Sequence, residues 1–139
     1  MPVDALLFDK DGTLFDFAQT WNTWAAEVLN TLARGDHAAK VGMARVISYD
    51  LDRSAFNADS LVIAGSNDEV AEVLSPFVAH MDLPELTAFL AQSAATADLS
   101  PAVPLAAFLD DLLARGKVLG VMTNDSEISA KSQLERAGV

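Results

Sequence analysis

The chain contains no cysteine. That absence excludes disulfides, thiolate nucleophiles and sulfur-ligated zinc together. Basic residues are scarce: 9 Lys and Arg stand against 20 Asp and Glu, for a formal net charge of -11. A surface of that sign repels phosphate backbones and anionic lipid, which argues against nucleic acid or a membrane as partner. An anionic substrate would need local help from a metal ion, a lysine or a helix N-terminus. No apolar run approaches the roughly 18 residues of a membrane span. The N-terminus reaches Asp4 and Asp9 before any basic region, unlike a secretory signal. There are two histidines, His37 and His80, and neither has a partner at metal-ligand spacing. A soluble, cytoplasmic protein is expected.

Hydrophobic residues make up 51% of the 139 positions, enough for one packed domain or one core with a small insertion. The apolar run Val3–Phe8 is followed by turn residues and reads as a buried parallel strand. A second such run, Lys117–Thr123, follows a predicted helix over Leu105–Arg115, with Gly116 between them as a C-cap. A last helix is predicted over Glu127–Ala137. This alternation is that of an α/β fold. From Phe17 to about Ala97 no strand is predicted. Phe17, Trp21, Trp24, Val28 and Leu32 recur at helical spacing, as do Val70, Val73, Leu74, Phe77 and Val78. Ser66–Glu69 has the pattern of a capping box, and Asp82–Glu85 that of a helix start with proline in the first turn. Ser100–Pro104 reads as a linker back to the core.

The first strand ends in "FDKDGTLFD". Alternate residues of a strand share a face, so Asp9 and Asp11 are expected to project into one cavity at its carboxyl end. Two neighbouring carboxylates repel unless a cation or a proton lies between them. The pair therefore suggests either a site for a hard cation such as Mg²⁺ or an acid/base couple. An acidic turn is the plainer alternative. A calcium loop with Gly12 at its glycine position would place Leu7 and Ala18 where carboxylates are needed, so that reading fails.

The stretch resembles the first motif of the haloacid dehalogenase-like hydrolases, a superfamily mostly of phosphatases. "GVMTND", with Thr123 and Asn124, resembles the second motif. The helical segment straight after the first strand is similar in position to the cap of the phosphoglycolate phosphatase-like branch. The resemblance implies a Rossmann-like core, incomplete here, over residues 1–16 and 100–139, with an all-helical cap over 17–99. It implies Asp9 as nucleophile and Asp11 as general acid and then base. Mg²⁺ would be held by the Asp9 side chain and the Asp11 main chain. Thr123 and Asn124 would hold the phosphoryl group, near the start of the last helix. The implied substrate is a small phosphorylated metabolite, cleaved through a phospho-aspartate. Thr13 is expected either to orient Asp11 or simply to form the turn.

The family also uses a lysine and a second acidic pair, both beyond the last helix found here. Lys131 lies inside that helix and reads as a solvent-facing charge, and Asp125 cannot replace an acidic pair on a separate strand. The expectation is the N-terminal part of a longer hydrolase, with a first strand short of one neighbour and an exposed edge that favours self-association. Two rivals follow: an inactive fragment serving as a binding or assembly module, and a 2-haloacid dehalogenase. The second is weaker, since dehalogenases need no carboxylate at the position of Asp11. Trp21 and Trp24 are expected to pack within the cap or close it, Asp110 and Asp111 to be solvated, and Lys10 to point away from its two aspartates.

Overall fold

The computed structural model describes residues 3–139. The first apolar run forms strand β1, Ala5–Asp9. It pairs in parallel with the strand formed by the second run, β4, Val118–Met122, in a register from Ala5 opposite Val118 to Asp9 opposite Met122. Helices α6 (Leu105–Ala114) and α7 (Glu127–Arg136) flank β4 in sequence. The fold is thus α/β, with a parallel sheet and many helices. Each of these elements lies within about two residues of its predicted bounds, an ordinary fraying of element ends.

One expectation about the sheet is corrected. The strands are not buried on both faces: Leu7, Val118 and Met122 are 66%, 68% and 65% exposed. The face carrying Leu6 and Phe8 is half-buried, and Phe8 meets Phe108 of α6 edge to face at 6.1 Å. Among the described residues this sheet has two strands, and its opposite face, with Leu7, Val118 and Met122, is open.

Between β1 and α6 lie α1 (Phe17–Ala33), α2 (His37–Val46), α3 (Leu61–Ala64), α4 (Asn67–Leu74) and α5 (Leu83–Ala95). Their apolar faces share one core, with Leu29 and Leu32 of α1, Met43 of α2, Leu74 of α4 and Leu86 and Leu90 of α5 fully enclosed. The N-termini are fixed as the sequence predicts. Ser66 and Glu69 form a reciprocal capping box at α4, and Asp82 and Glu85 form another at α5.

This segment also holds a feature the sequence reading lacks, a hairpin of β2 (Tyr49–Asp50) and β3 (Ala55–Phe56). Strands two residues long leave no alternating pattern to read. They are held instead by local polar contacts: Asp50 accepts from the backbone N–H groups of Asp52 and Arg53 at 2.9 Å each. Asn22 of α1 ties the hairpin down. Its side-chain oxygen accepts from Phe56 N–H, and its carbonyl accepts from the Tyr49 hydroxyl, both at 3.0 Å.

Gly42 sits inside α2, where glycine normally weakens a helix. Its reason is Phe77: a Cβ at position 42 would overlap the Phe77 ring. Gly42→Ala is therefore expected to destabilise the protein by about 1–3 kcal/mol, despite its higher helix propensity, because the ring must leave its packed position. Chemical denaturation measures this, and an unchanged or higher midpoint would contradict it. His37, exposed, opens α2, and exposed His80 lies in a turn past a 3₁₀ segment, Ser75–Phe77. No helix among the described residues is long and apolar enough to cross a membrane.

Candidate active site

The turn after β1 is built by its own backbone. The Lys10 carbonyl accepts from Leu14 N–H at 2.9 Å and Phe15 N–H at 3.1 Å, and Gly12 N–H donates back to Phe15 at 2.8 Å. Gly12 has φ of +88°, a conformation side chains resist. Leu14 and Phe15 then plug into an apolar cluster with Leu105. The predicted linker is stitched to this turn: Asp16 N–H donates to Ser100 at 2.7 Å and Ala102 N–H to Leu14 at 2.9 Å. The motif is thus clamped from both ends.

Asp9 ends β1 and is exposed. One of its oxygens accepts from the Thr13 hydroxyl at 3.2 Å. Thr13 therefore supports Asp9 and not Asp11, because the turn at Gly12 brings it back over the strand end.

Asp11 is held differently. One oxygen accepts from the Trp21 indole N–H at 2.9 Å, and the other lies 2.7 Å from the Lys10 ammonium. Asp11 lines a cavity of about 60 Å³ beneath the helical segment, together with Asn124 and Asp125. Phe17, Trp21, Trp24, Val62, Ile63 and Val70 form most of the apolar wall. Asp9 lies outside this lining, at the open strand end. The two carboxylates therefore do not face one cavity as strand alternation predicts. Alternation stops at Asp9, and Asp11 already belongs to the turn.

Lys10 is the largest departure from expectation. It is fully buried, and its ammonium points towards Asp11. It also reaches Asp125 at 3.1 Å and donates to the side-chain oxygen of Gln133, with the Trp21 ring 5.5 Å away. Asp125 accepts in addition from Ser126 N–H at 2.7 Å and the Ser129 hydroxyl at 2.8 Å. Gln133 donates to Ala94 O at 2.8 Å and Ser129 Oγ at 3.2 Å. Among the described residues no buried side-chain polar atom lacks a partner, so the network is closed. A buried lysine is tolerated only on such terms. Asp125 is thus no solvated bystander: it joins the two motif loops through Lys10. The signal for it was in the sequence, since Asp125, just before the N-cap of α7, is followed at spacings of four by Ser129 and Gln133 on one face of that helix.

Thr123 follows β4 directly, one residue past the partner of Asp9, and so lies at the strand ends as expected. Its hydroxyl oxygen accepts from Asp125 N–H at 3.1 Å. The Asn124 side chain turns to the helical segment, where it donates to Gly65 O at 2.8 Å. Trp24 donates to Ser93 at 3.0 Å and stays within the helical core. Lys131 pairs with Glu127 on the surface at 2.5 Å, and Asp111 pairs with Arg115 at 2.9 Å, both as solvated i,i+4 pairs. The contact with Lys131 holds the Glu127 carboxyl below its ordinary value.

Among the described residues no three His, Cys, Asp or Glu side chains cluster to form a metal cage. Mg²⁺ does not require one, since it is commonly bound by one or two carboxylates, waters and a substrate phosphate. The Asp9 carboxylate, a hard oxygen donor at an open strand end with a hydroxyl as partner, fits such an ion. The Asp11 side chain, engaged by Trp21 and Lys10, does not.

A parallel β1–β4 pair with an Asp-x-Asp turn at its carboxyl end, under a helical segment, places the site where open α/β sheets bind ligands. The family model of the haloacid dehalogenase-like hydrolases matches residues 3–139, and the chain belongs to that family. A solved structure described as a dehalogenase is similar at 17% identity and a TM-score of 0.46, over 96% of this chain. The chain spans 56% of that protein's length. No curated protein shows significant similarity.

Proposed function

We propose that the protein is a phosphatase of small phosphate monoesters, dependent on Mg²⁺ and acting through a phospho-aspartate on Asp9. One observation carries the reading: Asp11, a second carboxylate two residues from an exposed Asp9, is fixed at the cavity by Trp21 and Lys10. Displacing a halide needs no such group, because halide leaves as a stable anion. An alkoxide leaving a phosphate ester needs a proton.

In the proposed reaction an Asp9 oxygen attacks phosphorus and the ester P–O bond breaks. Asp11 passes its proton to the leaving oxygen. Water then attacks the phosphoryl group and gives a proton to Asp11, and phosphate leaves with Asp9 restored. Thr123, at the end of β4, would donate to the phosphoryl oxygens, and the start of α7 would favour their charge. Asn124 bridges to Gly65, and in this reading its contact keeps the helical segment closed over the site. Mg²⁺, held by the Asp9 carboxylate and the Asp11 main chain, would offset charge on the phosphoryl group.

The test measures phosphate release from an aryl phosphate and chloride release from 2-chloropropionate, with and without Mg²⁺. Metal-dependent phosphate release without chloride release is expected. Chloride release alone would make the protein a dehalogenase, and neither would favour a binding module.

A further inference from the structure

We infer that the leaving group of the substrate is uncharged, an apolar alcohol and not a hydroxy acid such as glycolate; the inference rests on the phosphatase reading. A general acid must touch the oxygen it protonates. Asp11 lines the cavity under the helical segment, so a leaving oxygen within its reach directs the rest of the leaving group into that cavity. What meets it there is mostly apolar, the indoles of Trp21 and Trp24, Val70 and Ile63, with Ser66, Asn67 and Asn124 as the uncharged polar groups. No Lys, Arg or His is among the described residues lining the cavity. Its ionisable groups are the carboxylates Asp11 and Asp125.

The nearest cation, Lys10, is not available. Its ammonium is committed to Asp11, Asp125 and Gln133, one acceptor for each of its three hydrogens. A second carboxylate on the substrate would lose water and find no free side-chain cation on the cavity wall.

The test compares isobutyl phosphate with 2-phosphoglycolate, which match in shape and differ in the carboxylate. Phosphate release with Mg²⁺ gives kcat/KM for each. Binding is read separately from the fluorescence of Trp21 and Trp24, the chain's two tryptophans, both on the cavity wall. The expected preference is about tenfold or more for isobutyl phosphate. Ile63→Arg places a cation on the wall at a position already 39% exposed, so the fold tolerates it. That variant is expected to move the preference about tenfold or more towards 2-phosphoglycolate. A wild-type preference for 2-phosphoglycolate would overturn the inference and leave the phosphatase reading standing. No phosphate release from either ester would overturn the phosphatase reading. The fluorescence titration then decides: tighter binding of isobutyl phosphate keeps the charge selectivity, and equal or weaker binding ends it.

Discussion

Asp9→Asn is expected to lower phosphate release by on the order of 10³-fold or more, with little change in stability. The substitution removes the nucleophilic oxygen and nothing else of consequence. Asp9 is exposed at the end of β1, and its side-chain partner is the Thr13 hydroxyl at 3.2 Å. An amide carbonyl accepts that hydrogen bond equally well. Stability should therefore stay within about 0.5 kcal/mol, as for surface changes that break no special contact. A loss of rate together with a large loss of stability would instead make Asp9 a structural residue.

Lys10→Met is expected to behave in the opposite way, with a stability loss of about 3–5 kcal/mol. Methionine keeps most of the stem but removes the ammionium charge that stands between Asp11 and Asp125. Those side chains are 11% and 13% exposed, so water screens them poorly. Gln133 would lose its donor as well, leaving a buried acceptor unpaired. The loss can be apportioned by a double-mutant cycle. Adding Asp125→Asn to Lys10→Met should recover part of it by removing one unpaired charge. Equilibrium denaturation measures all three variants. A loss below about 1 kcal/mol for Lys10→Met would mean that the cluster holds the two loops together only weakly.

Lys10 also shows where reading from sequence stops. Short apolar runs located β1 and β4, and helical periodicity with capping signals located the helices, because each leaves a local pattern. The motif turn breaks the pattern. After Asp9 the chain curls through Gly12, and the rule that places Lys10 opposite its neighbours no longer applies. The long stem of Lys10 then folds inward to carboxylates on two loops. Thr13 does not orient Asp11 for the same reason: the turn in which it sits delivers it to Asp9. The β2–β3 hairpin was too short to have a period, and its hold on Asn22 is a contact between residues far apart in sequence.

The exposure of the sheet was likewise beyond periodicity. An apolar run says what a strand could bury, not what is there to bury it, and Leu7 and Val118 remain open. The site itself was half legible. Asp9, Asp11 and Thr123 lie at the strand ends as their order in the chain suggests. The contacts that distinguish them, from Trp21 to Asp11 and from Asn124 to Gly65, cross between segments and have no local signature.

The most direct measurement of the central claim is mass spectrometry of the protein after an acid quench during turnover of a phosphate monoester with Mg²⁺. The account predicts one added phosphoryl group on the peptide containing Asp9, absent from Asp9→Asn. Phosphate release with the label on another residue, or release that survives Asp9→Asn, would contradict it.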